Sequence, residues 1–287
     1  MPAAGGRLIG VAIVMQQPPP LVLSIAGSDC SAGAGIQADL KTFQSFGVHG
    51  LTAVTCVVSE NANVVRAVHP VPVDVVVDQI SLMLESFPVV AVKTGMLYSA
   101  AHVRAVAGVL TAHPGLAVVV DPVMVASTGD PLMEADALDA YRECLFPLAR
   151  VITPNLPEAE VLLGRQIIDE NALAEAACEL AGLSRAAVLL KGGHLVGDHC
   201  VDLLVEDGGM FRFVEERIMV HASHGTGCTF SAAIAAALAR GEALPRAVET
   251  AKKFVGSALR HSHSFASPSG GFVHALNQAT KAPQNDA

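Results

Sequence analysis

The 287-residue chain reads as an α/β protein, a three-layer α/β/α domain on a mainly parallel central sheet. Three observations predict this. Apolar stretches without polar alternation recur along the chain, as strands covered on both faces do. Helical patterns separate them, giving the strand–helix grammar of a parallel sheet. Apolar residues make up 52% of the chain and charged residues 16%, a balance that supports a large core and not a disordered chain.

The elements follow in order. After the "PPP" stop, "LVLSIAG" is an apolar strand ending in small residues, "SDCSAGAG" a loop and "IQADLKTFQSFG" a helix. "LTAVTCVVS" is β-rich, "PVDVVVDQISLMLES" helical and "VVAVKTGML" a strand again. "AHVRAVAGVLTAH" is helical, "LAVVVDPVMV" a buried strand, and "EADALDAYRECLFPLA" a further helix. Then come the strand "RVITPN", the helices "LPEAEVLLG" and "NALAEAACELAGL", and the strand "AAVLLKGG". "HCVDLLVEDGGMFRFVEERI" breaks the pattern: two strands around a "DGG" turn form a hairpin at the sheet edge. The domain is placed at 21–276, with 1–20 a loose extension in which Met15 offers a second start, and 277–287 a disordered tail.

Bulk properties exclude several functions. The formal net charge is -9 and no Lys/Arg run exists, so neither nucleic acid nor a membrane surface is an expected partner. Six scattered cysteines without a C-x-x-C pair argue against a zinc site or a disulfide framework and for a reducing, cytoplasmic compartment. The segment "RLIGVAIVMQQPPP" has too short an apolar run and no cleavage site for a signal peptide. No apolar stretch approaches the roughly 20 residues of a membrane span.

The chemistry concentrates at "HGTGCTFSAAIAAALARG". Gly225 and Gly227 flank Thr226, and the alanine run that follows places a helix start near Cys228. A glycine turn feeding a helix N-terminus presents backbone N–H groups and positive dipole to an anion. The same field is expected to lower the pKa of Cys228, making it a candidate base or nucleophile; a tight turn beside a small buried cysteine is the alternative. Other strand ends offer polar groups with structural alternatives of their own. Asp121 ends a buried strand, as a metal or phosphate partner or as a loop cap. Asn155 and Glu158 sit at a strand-to-helix junction, as ligand groups or as a helix cap. Lys191 ends another strand, as a phosphate cation or as surface. Gly27, Gly33 and Gly35 let backbone approach a ligand, without the dinucleotide spacing G-x-G-x-x-G. In a parallel sheet these strand ends converge on one edge.

Taken together, "AGSDCSAGAGIQADLKTF", "KTGML", "DPVMVASTGDPL", "ITPNLPEAE", "LLKGGH" and "HGTGCTFSAAIAAALARG" resemble the hydroxymethylpyrimidine/phosphomethylpyrimidine kinases of thiamine biosynthesis, within the ribokinase-like superfamily. The resemblance runs from about Leu21 to Leu276. It implies a ribokinase-like fold and ATP-dependent phosphorylation of 4-amino-5-hydroxymethyl-2-methylpyrimidine and then of its monophosphate. It also implies Mg²⁺ carried by ATP near Asp121 and Glu158, with no dedicated metal cage, and a homodimer. Gly225, Thr226, Gly227 and Cys228 match the anion hole, with Cys228 in the base position that many relatives fill with aspartate. Lys191 matches the phosphate cation, while Asp121, Asn155, Glu158, Lys191 and Thr226 match the ATP site. Gly27, Ala34, Asp39, Val58, Met96 and Val123 match the pyrimidine pocket, with Asp39 its polar discriminator.

One position departs. Relatives usually read "QNT" where this chain reads "SENAN", so Glu60 replaces a glutamine that reaches the pyrimidine ring. The exchange removes two amide donors, and either the pocket tolerates it, the acceptor differs, or Glu60 turns to solvent. The competing functions are a pyridoxal or pyridoxine kinase, a non-catalytic pyrimidine-binding regulator, and a cysteine hydrolase pairing Cys228 with His224.

Overall fold

Strand β1, Leu21–Asp29, shows how the sheet divides the core: Leu23 and Ile25 enter one helical layer and Val22 the other, so neither face is polar. The computed structural model describes residues 17–124, 136–193, 195, 197–219, 224–268 and 270–279. Most of the expected extension (1–16), most of the expected tail (280–287), the end of "DPVMVASTGDPL" beyond Met124, and His194 lie outside the described residues.

Among the described residues β1 joins β2 (His49–Asn61), β3 (Val64–Pro70), β4 (Val89–Thr94), β5 (Ala117–Val120), β6 (Val151–Ile152), β7 (Ala187–Lys191), β8 (His199–Glu206) and β9 (Gly209–Glu216). They form one nine-stranded sheet of order β3-β2-β1-β4-β5-β6-β7-β8-β9. Pairing is parallel through β2, β1, β4, β5, β6 and β7, while the edge pairings β2–β3, β7–β8 and β8–β9 are antiparallel. The β8–β9 hairpin turns at Asp207 and Gly208, both at positive φ, as an Asp-Gly pair does in a tight hairpin. The chain leaves β1 toward β2 and β3 on one side and later builds β4 onward on the other. A crevice therefore opens beyond the carboxyl ends of β1 and β4, the place where such sheets bind ligands.

The helices are α1 (Gly35–Ser45), α2 (Val73–Ser86), α3 (Ala100–Thr111), α4 (Ala137–Ala140), α5 (Leu156–Leu163), α6 (Glu170–Ser184), α7 (Thr226–Ala239) and α8 (Leu244–Arg260). Helices α2 to α6 cover one face, and α1, α7 and α8 the other. Ala232, Ala233, Ile234, Ala235, Ala236 and Ala237 are all buried, so this stretch of α7 is apolar all round, and α7 lies between α1, α8 and the sheet. Phe46 and Phe254 close the α1–α8 seam edge to face at 5.1 Å. The helix expected over "EADALDAYRECLFPLA" is divided: α4 passes into a wide turn at Tyr141–Leu145 and a tight one at Phe146–Leu148, where Pro147 cannot donate a helical hydrogen bond. No helix among the described residues is long and apolar enough to cross a membrane.

Two expectations need correction. The tail does not lose contact at Asn277: the Asn277 N–H donates to the Ala258 carbonyl at 3.2 Å. Gln278 is 2% exposed and its Nε2 donates to Thr229 Oγ1 at 3.2 Å, so the chain stays docked against α7 and α8 through Gln278. Asp39 does not line the crevice. It faces inward from α1, fully buried, and accepts from Lys93 Nζ at 2.9 and 3.0 Å and from Ser24 Oγ at 2.5 Å. Burial opposes the Lys93 ammonium, but Asp39, Cys228 and Asp121 hold its proton well above the usual lysine range. Asp39 thus anchors a cation beneath the site. Asp39→Ala strands that cation in the core and is expected to lower stability by about 3–5 kcal/mol in urea denaturation.

Candidate active site

The site starts from two helix N-termini brought together by glycine. Gly225 caps α7 at φ +80°, and a β-carbon there would lie 1.9 Å from the Gly33 carbonyl oxygen. Gly35 opens α1 at φ +58°, where a β-carbon would lie 2.3 Å from the Gly27 carbonyl oxygen. Only glycine allows both the left-handed backbone and this approach. The Gly35 N–H reaches the Cys228 thiol across the junction. Cys228 therefore sits where the first turns of α1 and α7 face each other.

The sequence expected this field to lower the Cys228 pKa, and the structure reverses that. Burial pushes the thiol up to about 11; Lys93 and the Gly35 N–H oppose the shift, while Asp121 and Asp39 add to it. The thiol rests protonated.

Beside this junction the parallel strands deliver their terminal residues. Lys191 Nζ lies 3.2 Å from Asp121 Oδ1 and 3.4 Å from where a β-carbon on Gly227 would stand, which puts the ammonium against the first turn of α7. Asp121, 2% exposed, also accepts from Thr153 Oγ1 and Ser231 Oγ, both at 3.1 Å. Against the pull of burial, Lys191 and Lys93 hold its carboxyl below the usual range. Asn155 and Glu158 form a reciprocal capping box: Glu158 N–H donates to Asn155 Oδ1 at 2.9 Å, and Asn155 N–H to Glu158 Oε2 at 2.8 Å. The capping alternative is thus realised at Asn155, yet both residues also line the cavity. Burial pushes Glu158 up to about 7, with Lys191 opposing and Asp121 reinforcing.

One cavity of about 750 Å³ joins these groups to an acceptor half. Gly27, Ala34, Val58, Glu60, Met96 and Val123 all line it, together with Asp121, Asn155, Glu158, Lys191, Gly225, Thr226, Gly227 and Cys228. Of the residues expected at the site, Asp39 and Gly33 are absent from the wall. Glu60 turns inward, not to solvent.

Asp29 and His224 are the acceptor-side groups that motif reading undervalued. His224 Nε2 donates to Asp29 Oδ2 at 2.9 Å. The same Oδ2 accepts from Ser31 Oγ and from the Gly33 and Ala34 N–H groups at 2.8–3.0 Å. These bonds outweigh burial and hold Asp29 at about 2, and Asp29 in turn keeps His224 raised despite its burial. Asp29, Glu60 and His224 bring possible ligand atoms within 4.8 Å of one another. Within this trio, Asp29 Oδ2 and His224 Nε2 are engaged with each other. Its signal in the sequence was proximity to "GSD" and "HGTGC", not any spacing between the two.

A three-layer α/β/α fold with an anion hole, a lysine and a small acceptor pocket at one sheet edge defines a small-molecule kinase. The chain belongs to the phosphomethylpyrimidine kinase family, whose pattern matches residues 29–272. It is 44% identical over 244 residues to the hydroxymethylpyrimidine/phosphomethylpyrimidine kinase of Haemophilus influenzae, covering 84% of this chain and 91% of that one. It is 45% identical over 255 residues to the thiamine biosynthesis bifunctional protein ThiED of Geobacter sulfurreducens, covering 89% of this chain but 52% of that longer protein. Among solved structures, an ADP complex of Bacillus subtilis pyridoxal kinase superposes with a TM-score of 0.83 at 36% identity, over 91% of this chain and 98% of that one. The phosphomethylpyrimidine kinase of Clostridium difficile superposes with a TM-score of 0.74 at 36% identity, over 83% and 99%.

Gly225→Ala tests the junction. Left-handed strain and the clash with Gly33 are expected to cost at least about 1–3 kcal/mol in urea denaturation and to abolish turnover.

Proposed function

We propose that the chain transfers the γ-phosphoryl group of ATP to the hydroxymethyl oxygen of 4-amino-5-hydroxymethyl-2-methylpyrimidine, and then a second phosphoryl group to the monophosphate, within thiamine biosynthesis. The observation that carries this is the union of phosphate donors and a small acceptor pocket in one cavity of a chain of this family. The first N–H groups of α7 and the Lys191 ammonium take the charge of the transferring group, the acceptor half orients the hydroxymethyl oxygen, and closed packing at the glycine junction limits water.

The resting state of Cys228 limits its share in catalysis. A thiol near 11 is ionised to about one part in ten thousand at neutral pH, so positioning and charge stabilisation supply most of the rate. Its thiolate fraction takes the acceptor proton late, as the oxygen bonds to phosphorus. Asp121 and Glu158 fit Mg²⁺ carried by the nucleotide: both are buried oxygen donors on the wall of the cavity. There the ion would neutralise phosphate charge. The family resemblance also supports a homodimer, and six free cysteines suit a cytoplasmic setting.

A second reading, pyridoxal phosphorylation, draws support from the pyridoxal kinase superpositions, which include a Staphylococcus aureus complex with AMP-PCP and pyridoxal at a TM-score of 0.81 and 35% identity. Purified protein with Mg-ATP should release ADP with both pyrimidines and little with pyridoxal, with products identified by mass. Turnover of pyridoxal alone reverses the assignment. Below pH 11 the thiolate fraction rises with pH, so kcat of the wild type should climb through the alkaline range. Cys228→Ala should flatten that slope and lower kcat about 100-fold, with the KM for ATP nearly unchanged.

A further inference from the structure

Glu60 stands where relatives usually carry glutamine, and its position in the fold determines what that exchange does. The end of β2 turns it, half-buried, into the acceptor half of the cavity. Asp29 faces it from the end of β1, His224 from the turn before α7, and the Cys56 thiol from β2 itself. The exposed Cys30 thiol donates to the Glu60 main-chain carbonyl at 3.2 Å and leaves the side chain alone. His224 Nε2 is committed to Asp29, and among the described residues no side chain donates to the Glu60 carboxylate. That carboxylate is left to meet the acceptor.

The acceptor named above presents an exocyclic amine beside a ring nitrogen, one donor next to one acceptor. A glutamine amide matches this edge with its own acceptor and donor, whereas a carboxylate offers two acceptors. The mismatch is one proton. Placed on the carboxyl oxygen it gives O–H···N, and placed on the ring it gives N–H⁺···O⁻; both leave the second oxygen to accept from the amine.

We propose that Glu60 reads the aminopyrimidine edge through one proton taken up from solvent when the acceptor binds and shared between its carboxyl group and the ring nitrogen. The proposal rests on the pyrimidine assignment above. Burial and Asp29 both push Glu60 up from the usual carboxylate range, with His224 opposing, so the proton is held here more readily than on an exposed glutamate.

The test is calorimetric titration of the wild type and Glu60→Gln with 4-amino-5-hydroxymethyl-2-methylpyrimidine, without ATP, between about pH 7 and 9. Two buffers of different protonation enthalpy give the proton count directly. The wild type should approach uptake of one proton per acceptor bound, with Kd weakening by about tenfold per pH unit once both partners are deprotonated. Glu60→Gln should bind with near-zero uptake and a flat Kd. His224 and Glu158 remain in both proteins, so the difference reports Glu60 together with its effect on His224. Zero uptake by the wild type, or equal uptake by both proteins, overturns the proposal. Failure to bind or phosphorylate the pyrimidine, alongside turnover of pyridoxal, overturns the acceptor assignment and this proposal with it; turnover of the pyrimidine without proton uptake overturns this proposal alone.

Discussion

The contact between Gly33 and Gly225 is the constraint on which the site depends. It joins the loop after β1 to the turn before α7, segments separated by nearly the length of the domain, and makes two helix N-termini converge. Each N-terminus presents unpaired amide dipoles, and bringing two together concentrates positive potential where phosphate charge must be held. The Asp29–His224 bond fastens the same two segments from the acceptor side. Acceptor loop and anion hole are thus set in register before either substrate arrives.

Beneath this junction the charges are arranged in a buried relay. Lys93 is held by Asp39, Lys191 by Asp121, and both cations bear on Cys228 or on Asp121. A buried ion pair adds little net stability, because desolvation offsets its attraction, but removing one partner leaves a charge with no compensation. The pairs are therefore better understood as fixing where positive charge sits. On the far side of the cavity, Lys252 on α8 makes a further pair with Asp202 on β8 at 2.5 Å, and Asp202 also accepts from the Gly192 N–H at 3.0 Å. That places the residues after Lys191 by the same means.

Most of the fold was legible because buried parallel strands write themselves as unbroken apolar runs, and the Asp-Gly turn announces its hairpin. What escaped is non-local. β3 follows β2 through Ala62 and Asn63 with an exposed, mixed face, and the small ribbon of His263–Ala266 with Phe272–Ala275 pairs two short exposed segments. The sequence reading gives 244–260 no element, although the buried residues of α8 recur at helical spacing. At the site, motif contiguity marks the strand-end groups but not which way α1 faces, so it assigns Asp39 to the pocket wall and gives no role to Lys93, inside "KTGML". Asp29 and His224 are 195 residues apart, and nothing in one dimension joins them.

A thiol, rather than a carboxylate, at position 228 follows from this charge arrangement. Asp39, Asp121 and Glu158 already face two buried lysines, Lys93 and Lys191, and burial, reinforced by Asp121, displaces Glu158 to about 7 against the pull of Lys191. A carboxylate at 228 would add a further anion between Asp39 and Asp121, at the point where nucleotide phosphates must enter. A neutral thiol adds none, at the cost of a weak standing base. In this chain the same economy of charge extends to Glu60, where a carboxyl group near Asp29 meets its ligand most readily when a proton accompanies it. Catalytic and acceptor halves thus share one physical limit: negative charge is tolerated in this cavity only where a cation or a proton is already in place.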